Sequence, residues 1–508
     1  MGLVTEERTG PDYANPELIC HELVRERIRN WMHDHPQDRD DLTENTILLA
    51  YADRLKAVFK ALRHQNMTAA LEAGSRALVY CVQAGAWQRL GDFAGVVVTS
   101  TSDPRLLAGL LPYLEAAAES APEGKPRWSC LCYLGDALMN AGRPDASLPF
   151  YEQAATQSRT AAEAGGEMGR QAWADVGWIT GNWAIALVMN GELDNARRRH
   201  LESAEAEKKA GMPAVNVLGR ALEALRIDIL KGGAAQALPE VETRLAQIDL
   251  WWRQHRAGQP VPEAPDPQFL ARVLIGALDI AMEVHFAQQD WGSALRRIDA
   301  TLEVKRALER PEEDIAATRM DRANMLGKLP GRFGEAKAEL ENCLQAFQND
   351  PASRAKVLGS LANLFGEQGD VAQAITQQSR ALALCEALPD PQDRAISHNN
   401  LANYLEGSRM PSALAESPRH QLAALIYQLV SGLGQDLQTS LRNYAVRFRC
   451  AHAAGTELDM PRVAELLADP AFRPLDDWLR QRKADLAAVQ AAVDQALDMV
   501  QQATVGDV

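Results

Sequence analysis

The pair Leu361–Ala362 recurs 40 residues later as Leu401–Ala402, and each pair begins the same succession of amphipathic stretch, turn and second amphipathic stretch. In AKVLGSLANLFGEQGDVAQAITQQSRALALCEALP, residues 355–389, Leu358, Leu361, Ala362 and Phe365 fall on one helical face. After a turn at Gly366 to Asp370, Ala374, Ala381 and Leu382 line a second helix, and Pro389 closes the unit. Apolar residues at helical spacing make a single stripe, and a glycine-containing turn folds one stripe back on the other. A hairpin this small cannot cover its own apolar faces, so copies must stack on one another. That requirement excludes most architectures and leaves a series of packed helix pairs.

Further copies have the same offsets. One unit upstream, Gly331, Ala336, Leu340 and Cys343 match. Farther back, Leu134, Gly135, Leu138, Gly142, Tyr151 and Ala154 form one copy, and Trp183, Ala184, Gly191 and Ala196 another. Weaker copies are expected near 218–250, with Leu222, Leu225 and Leu230, and near 270–308, with Leu274, Ala277, Leu278 and Ala294. The unit at AISHNNLANYLEG reads as having a turn swollen by SRMPSALAESPRH before its second helix, QLAALIYQLVSG. The four prolines of Gly258–Pro267 predict a loop. Of the adjacent Trp251 and Trp252 before it, one ring is expected inward and the other outward, in a packing role beside that loop.

These positions resemble the tetratricopeptide repeat: an apolar-small pair, then Gly, then Ala, an aromatic or Leu, and Ala. The resemblance implies an all-α solenoid with a concave groove, over residues 46–435 here. In that family the residue after the small residue of the first helix faces the groove and grips peptide main chain. The matching positions are Asn363 and Asn403, with Asn324 as the upstream counterpart. Asn399, beside Asn400 on the same helix, is a further candidate, and Asp136 occupies the equivalent place in the early copy. An amide side chain both donates and accepts, so a ladder of Asn can pair with a peptide backbone whatever its side chains. Capping or bridging neighbouring helices is the other role open to Asn363 and Asn403.

Residues 1–45 do not follow the repeat. They read as an amphipathic helix, a His/Asp-rich break and a helix entry at Thr43 or Asn45. HELVRE, His21 to Glu26, resembles the end of the winged-helix subdomain of STAND-type signalling ATPases, which leads there into a repeat sensor. The chain has no G-x-x-x-x-G-K-[ST] loop to cradle phosphates, so ATP binding is not expected. The resemblance implies a second function: a sensor half of a signalling switch whose ATPase domain is supplied separately. Residues 436–508 continue as helix, turn, short helix and helix. They end in a helix with Leu486, Val489, Val493, Leu497 and Val500 at near-heptad spacing. Its expected role is to cap the last apolar face, with a homodimer through that helix as the alternative.

Composition sets the remaining exclusions. Aromatics are 6% and runs of Val, Ile and Thr are scarce, which favours helix over sheet. A formal charge of -15 opposes nonspecific binding to nucleic acid. No stretch has the ~20 apolar residues that span a bilayer, so no membrane is expected. Seven dispersed cysteines suit a reducing cytoplasm. Cys20, His21, His33 and His35 match no zinc spacing, and Cys130 with Cys132, or Cys450 with His452, cannot face each other on a helix. The basic stretches Arg197–His200, Lys208–Lys209, Arg442–Arg449 and Arg480–Lys483 are expected to form solvated, ion-paired helix faces. No nucleophile, base and orienting group come together, so no catalytic residue, metal or cofactor is assigned. The sequence is that of a noncatalytic cytoplasmic scaffold for a protein or peptide partner.

Overall fold

Each hairpin turns on a residue with left-handed backbone, a conformation that glycine adopts without a Cβ clash. Gly142, Gly191, Gly232 and Gly369 all have φ between 75° and 87° at the end of a first helix. In the computed structural model the described residues are Val4–Thr5, Ile19–Cys20 and 44–505, apart from 64–65, 92–93, 102–103, 389, 432–433, 454 and 456–457. They form two compact units divided between Val284 and His285.

The first unit opens with α1 (Glu44–Leu62), α2 (Met67–Gln83), the short α3 (Trp87–Leu90) and α4 (Ala94–Thr99), and α5 (Pro104–Ser120). Three hairpins follow: α6 (Lys125–Asn140) with α7 (Pro144–Glu163), α8 (Gly166–Met189) with α9 (Leu193–Lys209), and α10 (Ala214–Leu230) with α11 (Ala234–Arg256). The division between units falls within α12 (Pro267–Ala287). The second unit holds α13 (Trp291–Ala307) and then α14 (Glu312–Gly327) with α15 (Phe333–Ala346). Next come α16 (Pro351–Glu367) with α17 (Val371–Ala387) and α18 (Pro391–Gly407) with α19 (Pro411–Ser431). It ends in α20 (Gly434–Ala453), α21 (Val463–Ala468), a 3-10 turn at Pro470–Phe472, α22 (Arg473–Gln481) and α23 (Leu486–Val505). Consecutive helices pack in chain order from α6 to α11 in the first unit and from α13 to α20 in the second, which is the all-α stack of tetratricopeptide-like hairpins that the repeat requires.

The small residues mark where paired helices cross. Ala184, Ala323, Ala362 and Ala402 of the first helices are fully buried, as are Ala196, Ala294, Ala336 and Ala374 of the second helices. At Gly135 a Cβ would stand 2.9 Å from the ring of the buried Tyr151, so only a hydrogen fits. The terminal helix closes the stack: Val489, Val493 and Leu497 are buried in a cluster that includes Leu422 and Tyr444, and Gln501 donates to the Tyr444 hydroxyl at 2.9 Å. Leu486 stays exposed. The same closure covers two histidines, His398 buried and His420 half-buried. His398 and His420 meet Nδ1 to Nδ1 at 2.8 Å, both within 6 Å of the Phe472 ring centre. Burial pulls both below the usual imidazole range, His420 to about 4, so one neutral ring donates to the other.

Four expectations are corrected. The swollen turn after α18 is three residues, Ser408–Met410, and α19 is already helical at Pro411. Its left-handed residue is Arg409, φ 54°, so no glycine marked the turn. Pro411 sits at the helix start, where its missing N–H costs nothing, and Pro418 is carried inside the helix. Trp251 and Trp252 are both buried, as are Val261 and Ala264 of the following loop. Leu230 is exposed rather than core. Ile19–Cys20 is extended and paired antiparallel with Val4–Thr5 where helix was expected. The remainder of the N-terminal segment, including His21–Glu26, His33 and His35, lies outside the described residues, as does Pro389.

A non-glycine residue in the left-handed region costs roughly 1 kcal/mol. Arg409→Gly should therefore stabilise the second unit by up to ~0.5 kcal/mol, net of the entropy glycine adds to the unfolded chain, and be read as a small rise in the urea midpoint. A midpoint that falls would show that Arg409 contributes contacts outweighing its strained backbone.

Candidate functional site

The left-handed turn residue supplies a ruler for the face built by the first helices. Asn363 stands six residues before Gly369 and Asn403 six before Arg409; Asp136 stands six before Gly142 and Arg226 six before Gly232. Asn324 stands seven before Gly331. It nevertheless follows the buried Ala323 as Asn363 follows Ala362, which sets its register and makes its turn one residue longer.

Side chains at this position reach forward to the next first helix. The Tyr404 hydroxyl of α18 donates to Asn363 Oδ1 of α16. Arg447 Nη2 of α20 donates to Asn403 Oδ1 of α18 at 2.7 Å. One turn earlier on α18, Asn399 Oδ1 accepts from Asn443 Nδ2 of α20 at 3.2 Å. Asn324 has no side-chain hydrogen-bond partner among the described residues. Its equivalent donor would be residue 364, which follows Asn363 as Tyr404 follows Asn403, and there Leu364 has no hydroxyl. Asn363 and Asn403 are exposed, Asn324 half-buried and Asn399 buried. Three of the four predicted Asn therefore bridge helices, and the bridge takes the carbonyl oxygen. For Asn403 the assignment is fixed by chemistry, since a guanidinium only donates and must face oxygen. The amide N–H groups of the exposed Asn363 and Asn403 are left for another acceptor.

Arg447 organises the end of this ladder. It is 7% exposed. Its Nη1 donates to Gln421 Oε1 of α19 at 2.7 Å, and its Nε pairs with the Glu406 carboxylate of α18 at 2.5 Å. Burial lowers its pKa and Glu406 opposes the shift. The sequence placed Arg447 within a solvated basic stretch; its partners come from two other helices, α18 and α19, and are invisible to local pattern. Two of the other basic stretches do ion-pair, Arg197 with Asp228, Arg199 with Glu202, and Arg480 with Asp476, whereas Lys209 lies over the Trp173 ring at 4.4 Å.

In the first unit the same position carries different chemistry. Arg226 of α10 makes two hydrogen bonds to the Glu283 carboxylate of α12, at 3.0 and 2.7 Å. Asp136 is buried: the Tyr151 hydroxyl donates to it at 2.6 Å and Asn182 Nδ2 at 3.0 Å. Burial raises its pKa to about 6, against those hydrogen bonds. It is a helix-bridging acid and not part of an exposed ladder.

No protein-family model and no curated protein sequence matches the chain. Among solved structures it is similar to a Rap protein complexed with competence and sporulation factor, at 13% identity and a TM-score of 0.40, covering 83% of this chain and 99% of that one. Yeast Tom70 aligns at 12% identity and TM-score 0.31 over 88% and 99% of the two chains. A human IFIT1 dimer with PPP-AAAA aligns at 16% identity and TM-score 0.33 over 80% and 96%. No helix among the described residues is long and apolar enough to cross a membrane.

Asp136 yields a signed pH dependence. Its folded pKa is raised, so the folded state holds a proton that the unfolded chain releases near the ordinary carboxyl value of 3.8. Stability from this group is full below about pH 4 and is lost as pH rises through about 6. A shift of roughly two units corresponds to ~3 kcal/mol at most. Asp136→Asn cannot ionise, and its advantage over the parent should grow between pH 4 and 7 in urea titrations. Parallel curves over that range would contradict an elevated Asp136 pKa.

Proposed function

We propose that the chain is a noncatalytic scaffold whose second unit binds an extended segment of a protein or peptide partner along the face of α14, α16, α18 and α20. The observation that carries this reading is the division of labour within Asn363 and Asn403. Each gives its carbonyl to the next helix and keeps its N–H donors exposed, forty residues apart in sequence and one hairpin apart in the stack. Donors fixed in this way are pre-oriented for main-chain carbonyls, and the fixing lowers the entropy lost on binding. Asn324, without a helix partner, offers both donor and acceptor. Asn399 is buried and holds α18 to α20, so its contribution is to orient Asn403 and not to touch the partner. On this reading residues 46–435 are the repeat array, 436–508 its cap and 1–45 a separate N-terminal segment.

The test separates bridging from binding. Asn363→Asp and Asn403→Asp keep the oxygen that Tyr404 and Arg447 need, but replace outward N–H donors with a second acceptor. Against peptides selected by the parent protein from a displayed random library, the double Asp variant should lose about tenfold to a hundredfold in affinity. That is the sum of two hydrogen bonds worth ~0.5–1.5 kcal/mol each, with added repulsion of the peptide carbonyl. Circular dichroism and the unfolding midpoint should hold. Unchanged affinity would assign these asparagines to helix bridging alone.

A further inference from the structure

The two halves of the last hairpin are out of step. Leu361–Ala362 to Leu401–Ala402 is 40 residues, but the buried Gln378 and Gln421, each donating its Nε2 to the residue 19 positions on, are 43 apart. Three residues have been added between them, and they are helical: they extend α19 at its N-terminus, where Ser417 takes the place that Ala374 holds in α17. Ser417 Oγ donates to the Ala402 carbonyl at 2.9 Å, so the helix crossing is kept and the added turn projects beyond it.

Beside the extension is a pocket of about 80 Å³. Leu414, Pro418, Leu458 and Met460 give it apolar lining, and Tyr444, Ser417, Gln421, Arg447 and Glu406 complete it. The charges of Arg447 and Glu406 cancel at 2.5 Å, so the pocket favours neither an anion nor a cation. Its size is also selective. A cavity of about 150 Å³ holds a benzene ring, so roughly half that volume suits a branched or linear aliphatic group and is short of an aromatic one. One acceptor nearby is short of its usual donor. Pro418 has no N–H, so the Leu414 carbonyl lacks its α-helical donor, and a carbonyl without that donor beside an apolar pocket is a fitting partner for a peptide N–H.

We infer that this pocket takes an aliphatic side chain, of leucine or methionine size, from the peptide that the Asn ladder holds, with the Leu414 carbonyl accepting a main-chain N–H beside it. The inference rests on the proposed peptide-binding function. Continuity supports it: Arg447 both lines the pocket and fixes Asn403, so the side-chain pocket and the backbone donor are one assembly.

The probe is N-acetyl-leucine amide, followed through the methyl resonance of [13C-methyl]-methionine at Met460, assigned with Met460→Leu. The expected result is a saturable shift with the leucine compound, at least fivefold weaker affinity for the phenylalanine and glycine analogues, and loss of the shift in Leu458→Trp, which fills the pocket from a loop. No shift, or an equal shift with all three compounds, would overturn the inference. If displayed peptides bind through Asn363 and Asn403 yet Met460 never responds, the pocket fails and the ladder stands. If Met460 responds but no peptide is captured, the ladder reading fails and with it the anchoring role, leaving a site for a free aliphatic molecule. Among captured peptides, Leu458→Trp should weaken by about tenfold those with an aliphatic residue at one fixed position, and leave unchanged the same peptides with Ala there.

Discussion

Everything in this chain depends on bringing two helix backbones close at one small residue per hairpin. Ala184, Ala323, Ala362 and Ala402, with Gly135, let the second helix lie against the first, and the bulkier Leu361, Leu401 and Tyr151 fill the space beside the crossing. Packing at that density leaves no latitude, because an added methyl must displace a ring or a backbone. The left-handed residue that ends the first helix then sets the phase of everything around it. Five residues after Gly191, Gly232, Gly331 and Gly369 come Ala196, Ala237, Ala336 and Ala374, each buried. Six residues before Gly142, Gly232, Gly369 and Arg409 comes a side chain that reaches the next hairpin.

That second position links packing to chemistry. The residue directly after a close crossing is held rigidly by its neighbour, yet its own side chain points away from the crossing and along the stack. In the first unit it is used for structure: Arg226 grips Glu283, and Asp136 is sealed under Tyr151 and Asn182. In the second unit it is Asn, and at Asn363 and Asn403 the amide satisfies the neighbouring helix with one end and leaves the other exposed. A charged residue cannot divide itself in this way, since a carboxylate only accepts and a guanidinium only donates.

The fold was legible because its determinants are local. Leu358, Leu361 and Ala362 share a face by helical spacing alone, and the structure buries all three. What could not be read was anything that depends on a partner distant in sequence or on a residue acting against type. Arg409 carries a turn that glycine usually marks, and Pro418 sits inside a helix that proline usually ends. Together they disguised the extension of α19 as loop. Arg447 looked like one more surface cation because its partners, Glu406, Gln421 and Asn403, are 41, 26 and 44 residues away. The positions of Asn363 and Asn403 were predictable from the repeat; that each would spend its oxygen on Tyr404 or Arg447 needed the geometry.

A ladder of main-chain donors has a limitation built into its physics. Every peptide has carbonyls at the same spacing, so Asn363 and Asn403 would supply affinity without choosing among sequences. Selectivity must come from a feature that breaks the repeat, because identical hairpins present identical surfaces. Within the second unit the break is the three-residue extension of α19, and it lies beside the one Asn in the ladder whose orientation a buried cation enforces. An insertion that merely lengthened a loop would cost little and shape nothing. Placed in a helix, and anchored through Ser417 to the Ala402 carbonyl, it holds Leu414 at a fixed distance from Arg447. On the proposed reading the repeat supplies the binding face, and the departure from the repeat gives that face its preference.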